Sequence, residues 1–342
     1  MTPRRIATLA ALALALTTTA PSAAAAGPYR APRTADGQPD LQGLWTSLSA
    51  TNLERAPNTP LTFATRAQET AFEAAAAAAS ARVEAAGLGQ GVSEWHQAYP
   101  MARLDGKLRT SWIVSPADGR LPWRPEALAR YRVLMAAAVN GAAANPEDRP
   151  PTDRCLLGSF ASNTPPMINP AVAAGKQIVQ TKTEVAILSE MNHDLRIVRL
   201  APPRGSLSKQ KGRVARDPLG DSRHPARHPP ADVRLWMGDS IGHWEGETLV
   251  VETANFHPQE AFRGPVYMIS PDARVTERFT RTGPHEIRYA FEVDDPATFT
   301  QVWKGEMPLH PDKGPIYEFA CHEGNYSMPL MLQVARAAEK GR

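Results

Sequence analysis

From residue 166 onward, apolar and polar residues alternate in short runs, the period-two pattern of half-buried β-strands. Residues 177–180 and 184–188 read as one hairpin, 195–200 as the next strand and 233–236 as another. The run 243–252 reads as a hairpin turning at Gly246. Residues 274–281 alternate through Val275, Glu277 and Phe279, and 287–293, 298–307 and 316–320 continue and close the series. Strands joined in chain order, without interposed helices or an internal repeat, predict an antiparallel barrel or a strongly curved sheet. Ahead of them, 43–45 opens a first strand and 108–114 supplies another. Residues 60–86 predict an alanine-rich helix with Thr62 or Thr65 as N-cap, and a second helix runs from Pro125 to a stop near Gly141. The expected class is mainly β with two peripheral helices.

The first 26 residues change the picture from fold to compartment. Arg4 and Arg5, an apolar run over 6–16 and small residues up to Ala26 have the three parts of a secretory leader. That run is shorter than the ~20 residues needed to cross a bilayer, so no membrane span is expected. The expectation is a periplasmic or secreted protein whose residues 27–342 form one domain: arm, first strand and helices over 27–165, β region over 166–326, tail over 327–342. A net charge of +3 offers no case for a nucleic-acid partner. Only two cysteines occur, Cys155 and Cys321, and in an oxidising compartment that count favours a bridge between them over two free buried thiols.

Candidate chemistry gathers in two polar runs. In the first, Glu190, His193, Asp194 and Arg196 stand where two strands join; strand alternation puts Asp194 and Arg196 on one face and His193 and Leu195 on the other. An imidazole beside carboxylates suits a general base, whereas the plainer reading is a turn whose Asp caps amides and pairs with Arg. In the second, His322 and Glu323 follow Cys321 and precede Gly324, Asn325 and Tyr326. A cross-linked loop could hold an acid/base pair steady, or Asn325 could simply satisfy a corner. The block from Gly238 to Ile241 resembles the nucleophile block of GDSL-type esterases, but no Asp-x-x-His follows in the tail, so a turn built by Asp239 and Ser240 is the better reading. His224 and His228 have a zinc-like spacing that Pro225, Pro229 and Pro230 deny to a helix. The basic stretch 204–228 that holds them reads as a solvated insertion.

Gly43 and Trp45 match the short signature that opens lipocalin-like (calycin-type) barrels, and an ordinary buried Trp would look the same. Several longer blocks resemble an uncharacterised family of secreted bacterial proteins: residues 32–45, 109–114, 190–197, 237–256, 275–281 and 317–326. The resemblance covers most of the mature chain and implies one complete unit; it implies no activity or site residue. The expected function is cofactor-free acid/base chemistry (isomerase, lyase or hydrolase) on a small apolar or aromatic molecule. His193, Asp194, Glu190, Arg196, His322 and Glu323 would be its catalytic groups, and Trp236, Asp239, Trp244, Asn325 and Tyr326 would contact the substrate. No metal site is expected. The rival is a non-catalytic carrier with the same pocket.

Overall fold

A computed structural model describes residues 29–87, 99–140, 143–158, 162–168, 173–201, 227–260, 262–263 and 266–340. The leader-like segment and His224, with most of the basic stretch around it, lie outside the described residues. In chain order the elements are β1 (Gly43–Thr46), α1 (Arg66–Ala85), β2 (Arg103–Leu104), β3 (Lys107–Leu108), β4 (Ile113–Ser115), α2 (Pro125–Asn140), β5 (Lys176–Gln180), β6 (Glu184–Ser189), β7 (Leu195–Leu200), β8 (Asp239–Glu245), β9 (Thr248–Ala254), β10 (Phe262–Arg263), β11 (Tyr267–Met268), β12 (Arg274–Gly283), β13 (Glu286–Asp294), β14 (Trp303–Pro311), α3 (Cys321–Gly324) and α4 (Ser327–Lys340).

Period-two burial is cleanest in β12 and β13. Val275, Glu277 and Phe279 face inward from one, Ile287, Tyr289, Phe291 and Val293 from the other, and all are buried. The two strands pair in register from Arg274↔Asp294 to Arg281↔Ile287. β14 continues the alternation, and its Gly305 makes room for an aromatic neighbour, because a Cβ there would come within 2.3 Å of Phe291. Phe291 and Trp303 meet edge to face, with centroids 5.7 Å apart. Burying side chains of this size is worth ~1.5–3 kcal/mol each, which is why the inward positions dominate the energetics.

The main sheet runs β1-β5-β6-β7-β8-β9-β12-β13-β14 and closes when β14 pairs with β1 through Trp45↔Pro311 and Thr46↔His310. The fold is a closed nine-stranded barrel, with β4 added along the first part of β14. Several expectations are corrected, among them a strand at 233–236, where only an isolated bridge joins Leu235 to Phe256. The sheet is not wholly antiparallel: β7 and β8 pair in parallel, as the long connection over 201–238 permits. Residues 316–320 form no strand, because β1 already holds the edge of β14 that they would have needed. Two further helices, the short α3 and α4, follow the barrel.

Local chemistry explains the helix bounds. Thr65 accepts from the Gln68 amide, and the Gln68 side chain accepts from Thr65 in return, so α1 starts at Arg66. α2 starts on Pro125, whose missing N–H is no loss in a first turn. Trp45 is 3% exposed and donates its indole N–H to Leu41 O at 3.0 Å, anchoring the seam where β1 closes the ring. Among the described residues no helix is long and apolar enough to cross a membrane.

Candidate functional site

Residues 162–168 have no regular structure, yet all seven are buried, with Met167 and Ile168 in the barrel core. Buried irregular backbone needs polar partners, and side chains from several surrounding segments bond this one. Tyr289 accepts the Met167 amide at 2.8 Å. Arg263 donates to Pro165 O and, at 2.8 Å, to Glu260, whose carboxylate also bonds the Thr164 hydroxyl. Asn163 donates to Asp194 Oδ2 at 2.6 Å and to Met191 O at 2.7 Å, while its own oxygen accepts from Lys176 Nζ at 3.1 Å. The segment is a plug, and the barrel mouth is filled by the chain itself.

Behind the plug Arg196 makes a two-pronged bond to Glu277 at 2.7 and 3.1 Å, and Tyr289 donates to the same carboxylate at 2.7 Å. Burial, and then the neighbouring Glu277 charge, push the Tyr289 hydroxyl well above its ordinary range. Lys176 is 2% exposed; burial drags its ammonium down to about 7, against the pull of Asp194 and Glu190 and with help from Arg196. Burial raises Asp194, opposed by its bonds from Asn163 and the Gly158 amide.

The first polar run is thus divided. Arg196 points into the barrel from β7, and Asp194, half-buried just ahead of that strand, bonds the plug; both are held by structural partners. His193 is exposed at φ +52°, and its Nε2 lies 3.2 Å from Tyr317 O. Glu190 accepts the amides of Gly175 and Tyr317, each at 3.2 Å. Glu190 and His193 therefore reach the chain just before the second polar run.

The second run borders a cleft. Cys155 and Cys321 are bonded, with Cα atoms 5.8 Å apart, and the bridge ties the 149–155 loop to the C-terminal arm. Between them opens a cavity of about 690 Å³. Arg149, Thr152 and Asp153 form one wall; Glu318, Phe319, Cys321, Asn325, Ser327 and Met331 are on the other. Arg149 donates twice to Asp153, at 2.9 and 2.6 Å, and once to Ala138 O at the end of α2. Asn325 donates to Asp153 O at 2.7 Å and to Cys155 Sγ at 3.4 Å, and its oxygen accepts the Met328 amide at the start of α4. His322, Glu323 and Tyr326 are exposed on the same turn, outside the lining of the cleft.

The remaining expected contact residues lie elsewhere. Asp239 faces out of the barrel, paired with Arg199 at 2.6 Å and with His228 at 2.7 Å, and His228 also reaches Glu252. Trp244 packs against the barrel core near the other end of the same strand, roughly 16 Å further along at strand rise. Trp236 stacks on His257 with centroids 4.1 Å apart. These three do not converge. Ser240 is buried in β8 and bonded across to the Thr253 hydroxyl of β9 at 2.8 Å, so Asp239 and Ser240 belong to a strand and not to the expected turn. Among the described residues no three His, Cys, Asp or Glu side chains are grouped to hold a metal ion.

Lys176, Asn163 and the Arg149–Asp153 pair were not picked out from the sequence. For Lys176 a signal existed, since it shares a strand face with the buried Ile178. Set against known proteins, the chain matches no family model, no curated protein and no solved structure.

Proposed function

We propose that the protein binds a small organic molecule in the cleft beside the Cys155–Cys321 bridge, as a carrier rather than through the barrel lumen. The observation that carries this reading is the 690 Å³ opening, of a size ordinary for small-molecule sites, set against a barrel mouth occupied by residues 162–168. Phe319 and Met331 give the cleft apolar surface, and Asn325, Ser327 and Glu318 give it a few polar contacts. An apolar or aromatic body with a polar end suits that mixture. A periplasmic or extracellular location fits the leader-like start and the disulfide.

An acid/base enzyme is the second reading, and one observation favours it. His193 is exposed and bonded to Tyr317, the residue before Glu318 of the cleft wall. Against it, Asp194, Arg196 and Glu190 are engaged in structural bonds.

A panel of small aromatic and aliphatic compounds, followed by equilibrium dialysis and thermal shift, tests both readings. Saturable binding is expected, weakened about tenfold in Phe319→Ala, the scale of one lost apolar contact. Binding that ignores Phe319→Ala and Met331→Ala alike would remove the cleft from consideration. Turnover of a bound compound that disappears in a folded His193→Ala protein would favour the enzyme.

A further inference from the structure

The two sulfurs of the bridge stand in different surroundings. Cys321 is half-buried on the cleft wall, where an entering molecule meets it. Cys155 lies behind it, 8% exposed, with the Asn325 amide N–H directed at its sulfur from 3.4 Å. Thiol–disulfide exchange depends on just these properties: access to the sulfur under attack, and stabilisation of the sulfur that leaves. Here access belongs to Cys321 and stabilisation to Cys155.

We propose that the Cys155–Cys321 bridge is a thiol-exchange centre whose substrate is a low-molecular-weight thiol entering the cleft. The thiol loses its proton to solvent, and its thiolate attacks Cys321 Sγ along the S–S axis. A new S–S bond forms to Cys321, the old one breaks, and its electron pair stays on Cys155. The Cys155 thiolate departs into the Asn325 N–H. A second thiolate then attacks the substrate sulfur of the mixed disulfide and expels Cys321 as a thiolate. The substrate leaves as its own disulfide and both protein thiolates take up protons, so that the protein is reduced by two electrons and two thiols are oxidised.

The arm has contacts that do not pass through the bridge: Tyr317 with Glu190 and His193, and Asn325 with Asp153 O. Exchange therefore opens the bridge while the barrel stays closed. This activity needs only access to Cys321, and it stands independently of the organic ligand proposed above.

The test uses the whole oxidised protein with glutathione as probe, quenched with iodoacetamide and mapped by peptide mass spectrometry. Glutathione is expected on Cys321 and the alkyl group on Cys155, at a rate unchanged by urea too dilute to unfold the barrel. Asn325→Asp places a negative charge beside the leaving sulfur, and exchange should slow roughly three- to tenfold, the weight of one hydrogen bond. Glutathione on Cys155, an even distribution between the two, or a rate that climbs with urea in step with global unfolding would overturn the proposal. The site of labelling is read in the unaltered chain, so it decides even if Asn325→Asp fails to fold.

Discussion

The plugged mouth and the C-terminal arm both bond the turn over 190–194 but are held by different means. In the mouth, seven residues without helix or strand are buried; Tyr289 and Arg263 bond their backbone at Met167 N and Pro165 O, and Lys176, Asp194 and Glu260 bond the side chains of Asn163 and Thr164. In the arm, Tyr317, Tyr326, Leu330 and Val334 are 58–75% exposed, and a covalent bridge adds to the few bonds of Tyr317 and Asn325. The difference shows what buried chain and exposed chain each require. Buried backbone must find polar partners within the protein, since an unpaired group there costs free energy that no apolar contact returns. Exposed backbone has water for its polar groups, and needs only something to fix its position.

The comparison breaks most severely at the ion pair behind the plug. Glu277→Ala leaves Arg196 charged and buried without its partner, and a loss of about 3–5 kcal/mol in denaturant unfolding is expected. A loss below ~1 kcal/mol would mean that the mouth is not held as described.

A smaller effect is expected from Lys176, and it has a sign. Its folded-state value of about 7 lies below the ordinary 10.5, so between those values the folded chain holds fewer protons than the unfolded one. Stability from this residue therefore rises as pH rises from about 7 toward 10.5, by up to ~1.4 kcal/mol per pH unit. Below about 7 the lysine is charged in both states and contributes no slope. Urea midpoints at pH 7.5 and 9.5 should show a smaller rise in Lys176→Met than in the unaltered protein. Equal rises would place the titration elsewhere.

The smallest effect belongs to the arm. Leu330→Ser and Val334→Ser should each change stability by no more than ~0.5 kcal/mol, because both side chains are already in water. A cost above ~2 kcal/mol for either would mean that the arm is packed, and the contrast would fail.

Much of the barrel was legible, because a half-buried strand writes its geometry locally. Val275, Glu277 and Phe279 alternate in the sequence and share the inward face in space. The bridge followed from a count of two cysteines and a leader-like start. Closure was not legible: Trp45 meets Pro311 across most of the chain, and no local pattern records which strand takes an edge. Residues 316–320 are mostly apolar and aromatic, as a strand can be, but composition cannot form a strand without a free edge to pair with. The site was half legible. The two polar runs could be picked out, while the plug, with Asn163, Thr164, Pro165 and Pro166, looks like any surface loop until the lysine and arginine that hold it are seen in space.

The single parallel pair has a consequence for the ring as a whole. Walking once around a closed ring of strands, direction reverses at every antiparallel neighbour and must return to its starting sense. The number of reversals is therefore even, and an odd ring cannot be built from antiparallel pairs alone. Nine strands leave room for eight reversals and one exception, and β7 against β8 is that exception. Parity thus assigns a purpose to the long stretch over 201–238. A tight hairpin between β7 and β8 would set them antiparallel and leave the circle unable to close.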